Sequence, residues 1–428
     1  MPESKFPKIQ EKAVIILGAG ASKPYGFTTG KELLKKILDF KGDIYITDNK
    51  DILGSSDSNI YFNDPKIDDI LNPESFTLGE NVSENRFGKI VNSRQVFFKD
   101  QKNFYQKLKL YKDSQIDYFL RTYKKTYSEY GKLLITRQLI DSEIHSAIKF
   151  KTENGEYQDL GNKFKFEFDE KDSKEPDLKG DKKNIDWISH FFANLIQKVK
   201  TPNDLKEITE NLTIIIFNYD LLFEYCLDRF CTGDGEWEEP LKEFKKKLKI
   251  IHIYGKLGKL DWEENNKIYD EDMFDSFVVR EFGGNSGVYG EELVNISKGI
   301  KVIAEKQDEE NQKHIKLARE KIKEAKKIFF FGFGFDRNNL KLLGFDGSSE
   351  NKKLFNQKEL YCSIYDENEK ERALLTIDDL IKDINLDDDQ IKLWSQSGAI
   401  NPNKLNSIII NSKKFRKTKE IDSLLMYL

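Results

Sequence analysis

The chain has 428 residues, 38% hydrophobic and 34% charged, with 70 Lys plus Arg against 74 Asp plus Glu. That length is expected to carry about two or three domains and a sizeable core, and the near cancellation of charge excludes a global field that would recruit nucleic acid or an anionic membrane. The opening MPESKFPKIQEK has no apolar signal core, and no apolar run approaches the roughly 20 residues that cross a bilayer, so a cytoplasmic protein is expected.

In chain order, Val14–Leu17 is a short apolar run closed by glycine, as a buried parallel strand is. The segment GAGASKPYGFTTG follows. Gly18 and Gly20 let the backbone turn tightly and approach a ligand, and a helix opening near Lys31 offers free N–H groups to a phosphate. Neither standard phosphate motif fits. Lys23 stands where the third glycine of G-x-G-x-x-G belongs, and Glu32 follows Gly30-Lys31 where a Walker A loop has Ser or Thr. The alternative reading is a strand-to-helix turn with no ligand.

After a helix over about 30–40, residues 41–113 are rich in Asp, Asn, Ser and Lys and read as irregular. Apolar residues from Ile116 to Leu134 recur at steps of three and four, which predicts one or two amphipathic helices across 114–150. Residues 151–183 read as a polar surface excursion, and a helix resumes over Trp187–Val199. Residues 41–200 therefore form a largely helical insertion between 1–40 and 201–428.

The second half alternates strand and helix. Leu212–Phe217, Ile250–Tyr254, Ile328–Phe331, Leu360–Tyr365 and Ile408–Ile410 are the strand candidates. Helices are expected over Leu221–Phe230, Asn311–Lys327 and Ile421–Leu428. The pattern predicts an α/β, Rossmann-like fold: a mainly parallel sheet with helices on both faces, plus the helical insertion.

In such a sheet, ligands lie beyond the carboxyl ends of the strands. Four predicted strands end in suggestive residues: Gly18–Ser22, Asn218-Tyr219-Asp220, His252–Gly255 and Gly332–Asp336. Each has a plainer reading. Asn218 or Asp220 would serve equally as a helix cap, His252 as a strand histidine satisfied by a backbone group, and Gly332 and Gly334 as relief for a turn. Cys226, Cys231 and Cys362 form no C-x-x-C pair, and the four histidines lack the spacing of a metal site, so no metal is expected.

Taken together, GAGAS at Gly18–Ser22, GFTTG at Gly26–Gly30, IDYFL at Ile116–Leu120, FNYD at Phe217–Asp220, HIYG at His252–Gly255 and GFGF at Gly332–Phe335 resemble the sirtuin-like domains that bind NAD. The deacylating members of that superfamily carry a zinc ribbon with two C-x-x-C pairs, which this chain lacks. What remains looks like the bacterial anti-phage branch, whose domains hydrolyse NAD during infection. The resemblance implies NAD as substrate, with Gly18, Ala19, Gly20 and Ser22 at the pyrophosphate. It places Phe27 and Thr29 beside the nicotinamide half, and Gly332, Gly334 and Phe335 at the adenosine half. Homo-oligomers, and in some relatives a HerA-like ATPase partner, are also implied.

Cleaving the nicotinamide bond develops positive charge on the ribose and needs a positioned water. Asn218 is expected to orient the ribose hydroxyls and that water, and Asp220 to support it. The family's histidine stands directly before the glycine, where this chain has Tyr254. His252, two residues earlier, would share a strand face with Tyr254 and accept a proton, leaving Tyr254 to contact the ribose. The alternatives are an NAD- or ADP-ribose-binding sensor without chemistry and, less favoured, a protein deacylase.

Overall fold

The structure is a computed structural model that describes residues 11–39, 43–48, 58–63, 103–112, 115–144, 146, 149–151, 157–159, 187–197, 199–233, 235–264, 278–283, 291–302, 309–363, 368–381 and 408–411. The helix expected over Ile421–Leu428 and most of the excursion at 151–183 lie outside the described residues.

Six strands form the central sheet: β1 (Ala13–Leu17), β2 (Leu212–Ile216), β3 (Lys249–His252), β4 (Lys327–Phe331), β5 (Glu359–Ser363) and β6 (Ile408–Asn411). They lie in the order β3–β2–β1–β4–β5–β6, and every pairing is parallel. β1 is central, with Ile15 beside Ile214 on one side and Phe329 on the other. This is the doubly wound arrangement expected of a Rossmann-like fold. All five residues of β1 and of β2 are buried, because a parallel strand covered on both faces has no solvent side to alternate with.

Side chains alternate along each strand, so neighbouring residues feed two separate cores. Ala13, Ile15 and Leu17 join Ile214, Ile216, Phe329 and Phe331 in one, while Val14, Ile16, Ile215, Ile328 and Phe330 join the other. Each Val, Leu, Ile or Phe among them contributes about 1.5–3 kcal/mol on burial.

The first core is covered by α1 (Gly30–Asp39), α2 (Ile116–Thr122), α3 (Lys124–Ile144), α4 (Trp187–Gln197), α5 (Pro202–Asn211), α6 (Leu222–Phe230), α7 (Glu238–Lys247) and α8 (Glu291–Lys298). The second is covered by α9 (Glu309–Glu324), α10 (Arg337–Leu342), α11 (Ser349–Asn356) and α12 (Asn368–Leu380). The insertion helices α2, α3 and α4 thus share a core with the sheet. Two short antiparallel hairpins, Asp43–Asp48 with Ser58–Asn63 and Lys149–Lys151 with Tyr157–Asp159, also fall within 41–200.

Polar ties fix the insertion to the sheet. The Glu143 carboxylate of α3 takes both terminal nitrogens of Arg280, at 2.7 and 2.8 Å, and also the Gly283 N–H at 3.0 Å. Glu143 and the Arg280 side chain are almost wholly buried, and the forked geometry satisfies both charges. Trp187, at the start of α4, donates its Nε1–H to the Ala21 carbonyl at 2.7 Å. The Tyr25 hydroxyl accepts the Ile188 N–H at 2.8 Å. The insertion is therefore bonded directly to the turn after β1.

Candidate functional site

Strand order reverses between β1 and β4: the chain leaves β1 toward β2 on one side of the sheet and later returns to build β4 on the other. A crevice outside the carboxyl ends of the strands is the expected binding place in this fold. There the loops after β1 and β4 close on each other. Gly20 donates its N–H to the Gly332 carbonyl at 2.9 Å, and Gly18 donates to Phe331 O at 2.9 Å. A Cβ on Gly332, whose φ is +55°, would lie 2.0 Å from the Ala21 nitrogen. One on Gly18 or Gly20 would lie 2.6 or 2.8 Å from the Gly332 oxygen. These three glycines are required by backbone meeting backbone, before any ligand is considered.

Beyond them opens a cleft of about 370 Å³, within the size range of small-molecule sites. Its floor is a hydrogen-bond chain from two strand ends, those of β1 and β2. Asn218 Nδ2 donates to Ser22 Oγ at 2.8 Å and to the Gly18 carbonyl at 3.1 Å. Ser22 Oγ donates in turn to the Asp220 carboxylate, 3.0 and 3.2 Å from its two oxygens. Asp220 Oδ1 also accepts the Leu222 N–H at 3.2 Å, so this carboxylate secures the start of α6 as well. All three side chains are buried. Burial pushes the Asp220 carboxyl up to about 7; the Ser22 hydroxyl opposes the rise, and Glu143 and Glu224 add to it.

One wall comes from the insertion and from the loops after β2 and β4. Tyr219 donates its hydroxyl to Asp117 Oδ1 at 3.2 Å. Tyr118 donates to Asp336 Oδ2 at 2.8 Å. Asp336 Oδ1 caps α10 by accepting the Asn338 and Asn339 N–H groups at 2.9 and 3.1 Å. Tyr254 donates to Asn339 Oδ1 at 2.5 Å, and its ring packs edge-on against Phe217 with centroids 5.6 Å apart. Lys23, Thr28, Thr29, Gly30 and Lys31 also line the cleft. Lys23 pairs with Glu32 at 2.6 Å, while the Thr28 hydroxyl oxygen is buried with no hydrogen-bond partner among the described residues.

Of the residues singled out in the sequence, Gly18, Ala19, Gly20, Ser22, Thr29, Asn218, Asp220, Tyr254, Gly332 and Gly334 line this one cleft. Phe27 and Phe335 do not. Phe27 is buried in the first core, and Phe335, at φ +49°, packs on Phe330 and Phe333 in the second. Thr29 lines the cleft, but its N–H and hydroxyl both donate to Glu32, at 2.9 and 3.0 Å. That is a helix-capping arrangement, legible as T-x-x-E in the sequence.

His252 and Tyr254 do not share a face. β3 ends at His252 and the chain bends, so Tyr254 joins the second core while His252 points toward α6 on the first-core side. His252 Nε2 lies 2.5 Å from Glu224 Oε1, and Nδ1 lies 3.3 Å from the Asn218 carbonyl oxygen. Lys256 approaches the same Glu224 oxygen at 3.7 Å and pairs with Glu263. Burial raises the Glu224 pKa, but His252 and then Lys256 outweigh it and hold this carboxyl well below the usual carboxylate range. His252 is 2% exposed and stands behind Asn218, away from the cleft. Gly255, at φ +72°, is needed because a Cβ there would lie 2.0 Å from the Gly299 oxygen.

Asp117, Asp336 and Asn339, to which no local pattern in the sequence assigns a role, also line the cleft. The available signals were the IDYFL motif and an Asp before a short helical run. Among the described residues, no group of three or more His, Cys, Asp or Glu could hold a metal ion, and no helix is long and apolar enough to cross a membrane. No family model matches the chain, and no curated protein matches it in sequence.

Proposed function

We propose that the cleft binds NAD and hydrolyses its nicotinamide–ribose bond, releasing nicotinamide and ADP-ribose. The observation that carries this reading is the Asn218–Ser22–Asp220 chain, fixed across the ends of β1 and β2 beside the point where the strand order reverses. Hydride transfer needs a second substrate held beside the ring, whereas hydrolysis needs only a positioned water and charge stabilisation on the sugar. Asn218 spends Nδ2 on Gly18 and Ser22, and its Oδ1 takes no hydrogen bond among the described residues. That oxygen is the acceptor for a ribose hydroxyl or for the attacking water.

Asp220, behind Ser22, orients the hydroxyl that orients Asn218, and so acts as a positioning residue. His252 does the same from the other side through the Asn218 main chain. Tyr254 presents a hydroxyl and a ring edge to the ribose. Lys23, Lys31 and the Thr28 hydroxyl supply donors suited to the pyrophosphate. The resemblance to anti-phage sirtuin-like domains makes depletion of host NAD the biological outcome, in a homo-oligomer or together with a HerA-like ATPase.

A second reading, an NAD- or ADP-ribose-binding sensor, is favoured by one observation: the floor groups are bonded to one another and, among the described residues, no histidine lines the cleft. Calorimetry and nicotinamide release on the same samples separate the two. The hydrolase reading expects saturable NAD binding with nicotinamide release that Asn218→Ala abolishes. Binding with NAD recovered unchanged, alone and with the ATPase, supports the sensor.

A further inference from the structure

The Ile116–Leu120 motif opens α2, the insertion helix at the wall of the cleft. Its second residue, Asp117, lies in the first turn of α2, where a carboxylate ordinarily serves only the helix end. Here the side chain lines the cleft. Among the described residues three carboxylates line it, and they differ in what remains available. Asp220 has both oxygens within hydrogen-bond distance of Ser22. Asp336 has one oxygen on two backbone N–H groups and the other on Tyr118. Asp117 has Oδ1 on Tyr219, and its Oδ2 takes no hydrogen bond from another residue among those described.

Resting on the NAD-cleavage reading above, we infer that Asp117 is the catalytic base of the cleft, its Oδ2 accepting the proton of the water that attacks the ribose. The step balances without a further reagent. The water oxygen bonds to the ribose C1′, the C1′–N bond breaks with its electron pair going to the nicotinamide nitrogen, and the proton passes to Asp117 and then to solvent. Nicotinamide leaves neutral. While ionised, the same carboxylate also faces the positive charge that develops on the sugar.

The surroundings fit a base that works near neutrality. Burial pushes the Asp117 carboxyl up to about 6, against the Tyr219 hydrogen bond and with a contribution from Asp336. Among the described residues, Tyr118 on its own helix and Tyr254 beyond β3 also feel the Asp117 charge; burial and then the two aspartates drive the Tyr254 hydroxyl upward, so it stays protonated. Of the helices packed against α2, α1 contributes Lys31 to the cleft and α3 contributes Leu139. No ion pair reaches Asp117 among the described residues.

The test measures nicotinamide release from pH 5 to 9, with NAD binding by calorimetry, for the full chain, Asp117→Asn, Tyr219→Phe and Asn218→Ala. Asp117→Asn keeps an acceptor for Tyr219 and is expected to bind NAD within about threefold of the parent while releasing nicotinamide about a hundredfold more slowly or worse. The parent rate is expected to rise through about pH 6. Asp117→Asn lacks that limb, and Tyr219→Phe moves it to higher pH, because the lost hydrogen bond favoured the ionised form. A base role is overturned if Asp117→Asn turns over within about threefold of the parent with the same limb. If Asn218→Ala is inactive in that experiment, the cleavage reading survives and only the assignment of Asp117 falls. A parent chain that binds NAD and never releases nicotinamide overturns both.

Discussion

The floor and the wall of the cleft are built from the same kinds of group and differ in how completely those groups are used. The floor comes from the ends of β1 and β2, and its Asn218, Ser22 and Asp220 side chains are spent largely on one another. The wall joins an insertion helix to the segments after β2 and β4 through Tyr219 on Asp117 and Tyr118 on Asp336 and Asn338, and it leaves a carboxylate oxygen over among the described residues. A floor of that kind holds geometry, whereas a wall of that kind can act on a substrate. Pre-organised sites place the reacting group on a scaffold that is already satisfied.

Five changes press on this contrast. Asn218→Ala cuts the chain at its centre, and nicotinamide release is expected to fall about a hundredfold or more, read by chromatography of the products. Glu224→Ala acts behind the floor. Removing a buried charge that pairs with His252 and approaches Lys256 is expected to cost about 3–5 kcal/mol, measured by urea denaturation. His252→Gln is expected to move stability more than turnover per folded molecule; the reverse would put His252 at the substrate.

Gly332→Ala forces a Cβ against the Ala21 nitrogen at a left-handed φ, with an expected loss of about 2–4 kcal/mol seen as a lowered Tm. Asp220→Asn has the smallest effect and the most specific signature. A carboxyl raised to about 7 on folding contributes stability that is fully present below its unfolded value near 3.8 and lost as pH rises through about 7. The Tm of Asp220→Asn relative to the parent is therefore expected to be more favourable at pH 8 than at pH 5. An unchanged difference would mean that Asp220 stays ionised throughout.

The sheet was legible because its signals are local: apolar runs of four or five residues ended by glycine or asparagine identify β1, β2 and β4 and the loops that follow them. The turn at Gly18–Ser22 was legible as a site for a reason that the structure changes. Gly18 and Gly20 were expected to let a ligand approach, and their immediate neighbour is the Gly332 backbone. The face of His252 was not legible, because Ile250–Tyr254 reads as one continuous strand and nothing in it announces the bend.

Asp117 lies further from reach. Its partner Tyr219 is 102 residues away, and the Tyr118 bond to Asp336 spans 218 residues. Such pairings are set by how the insertion docks on the first core, which no local pattern encodes. The T-x-x-E cap at Thr29 was present in the sequence, and it shows how a residue expected to meet a ligand can be occupied by its own helix.

The most direct measurement is incubation of the chain with NAD in ¹⁸O-labelled water, followed by mass spectrometry of the products. Hydrolysis in this cleft predicts nicotinamide and ADP-ribose in equal amounts, with one ¹⁸O in the ADP-ribose. NAD recovered intact, or nicotinamide released without ¹⁸O in its partner product, would contradict it.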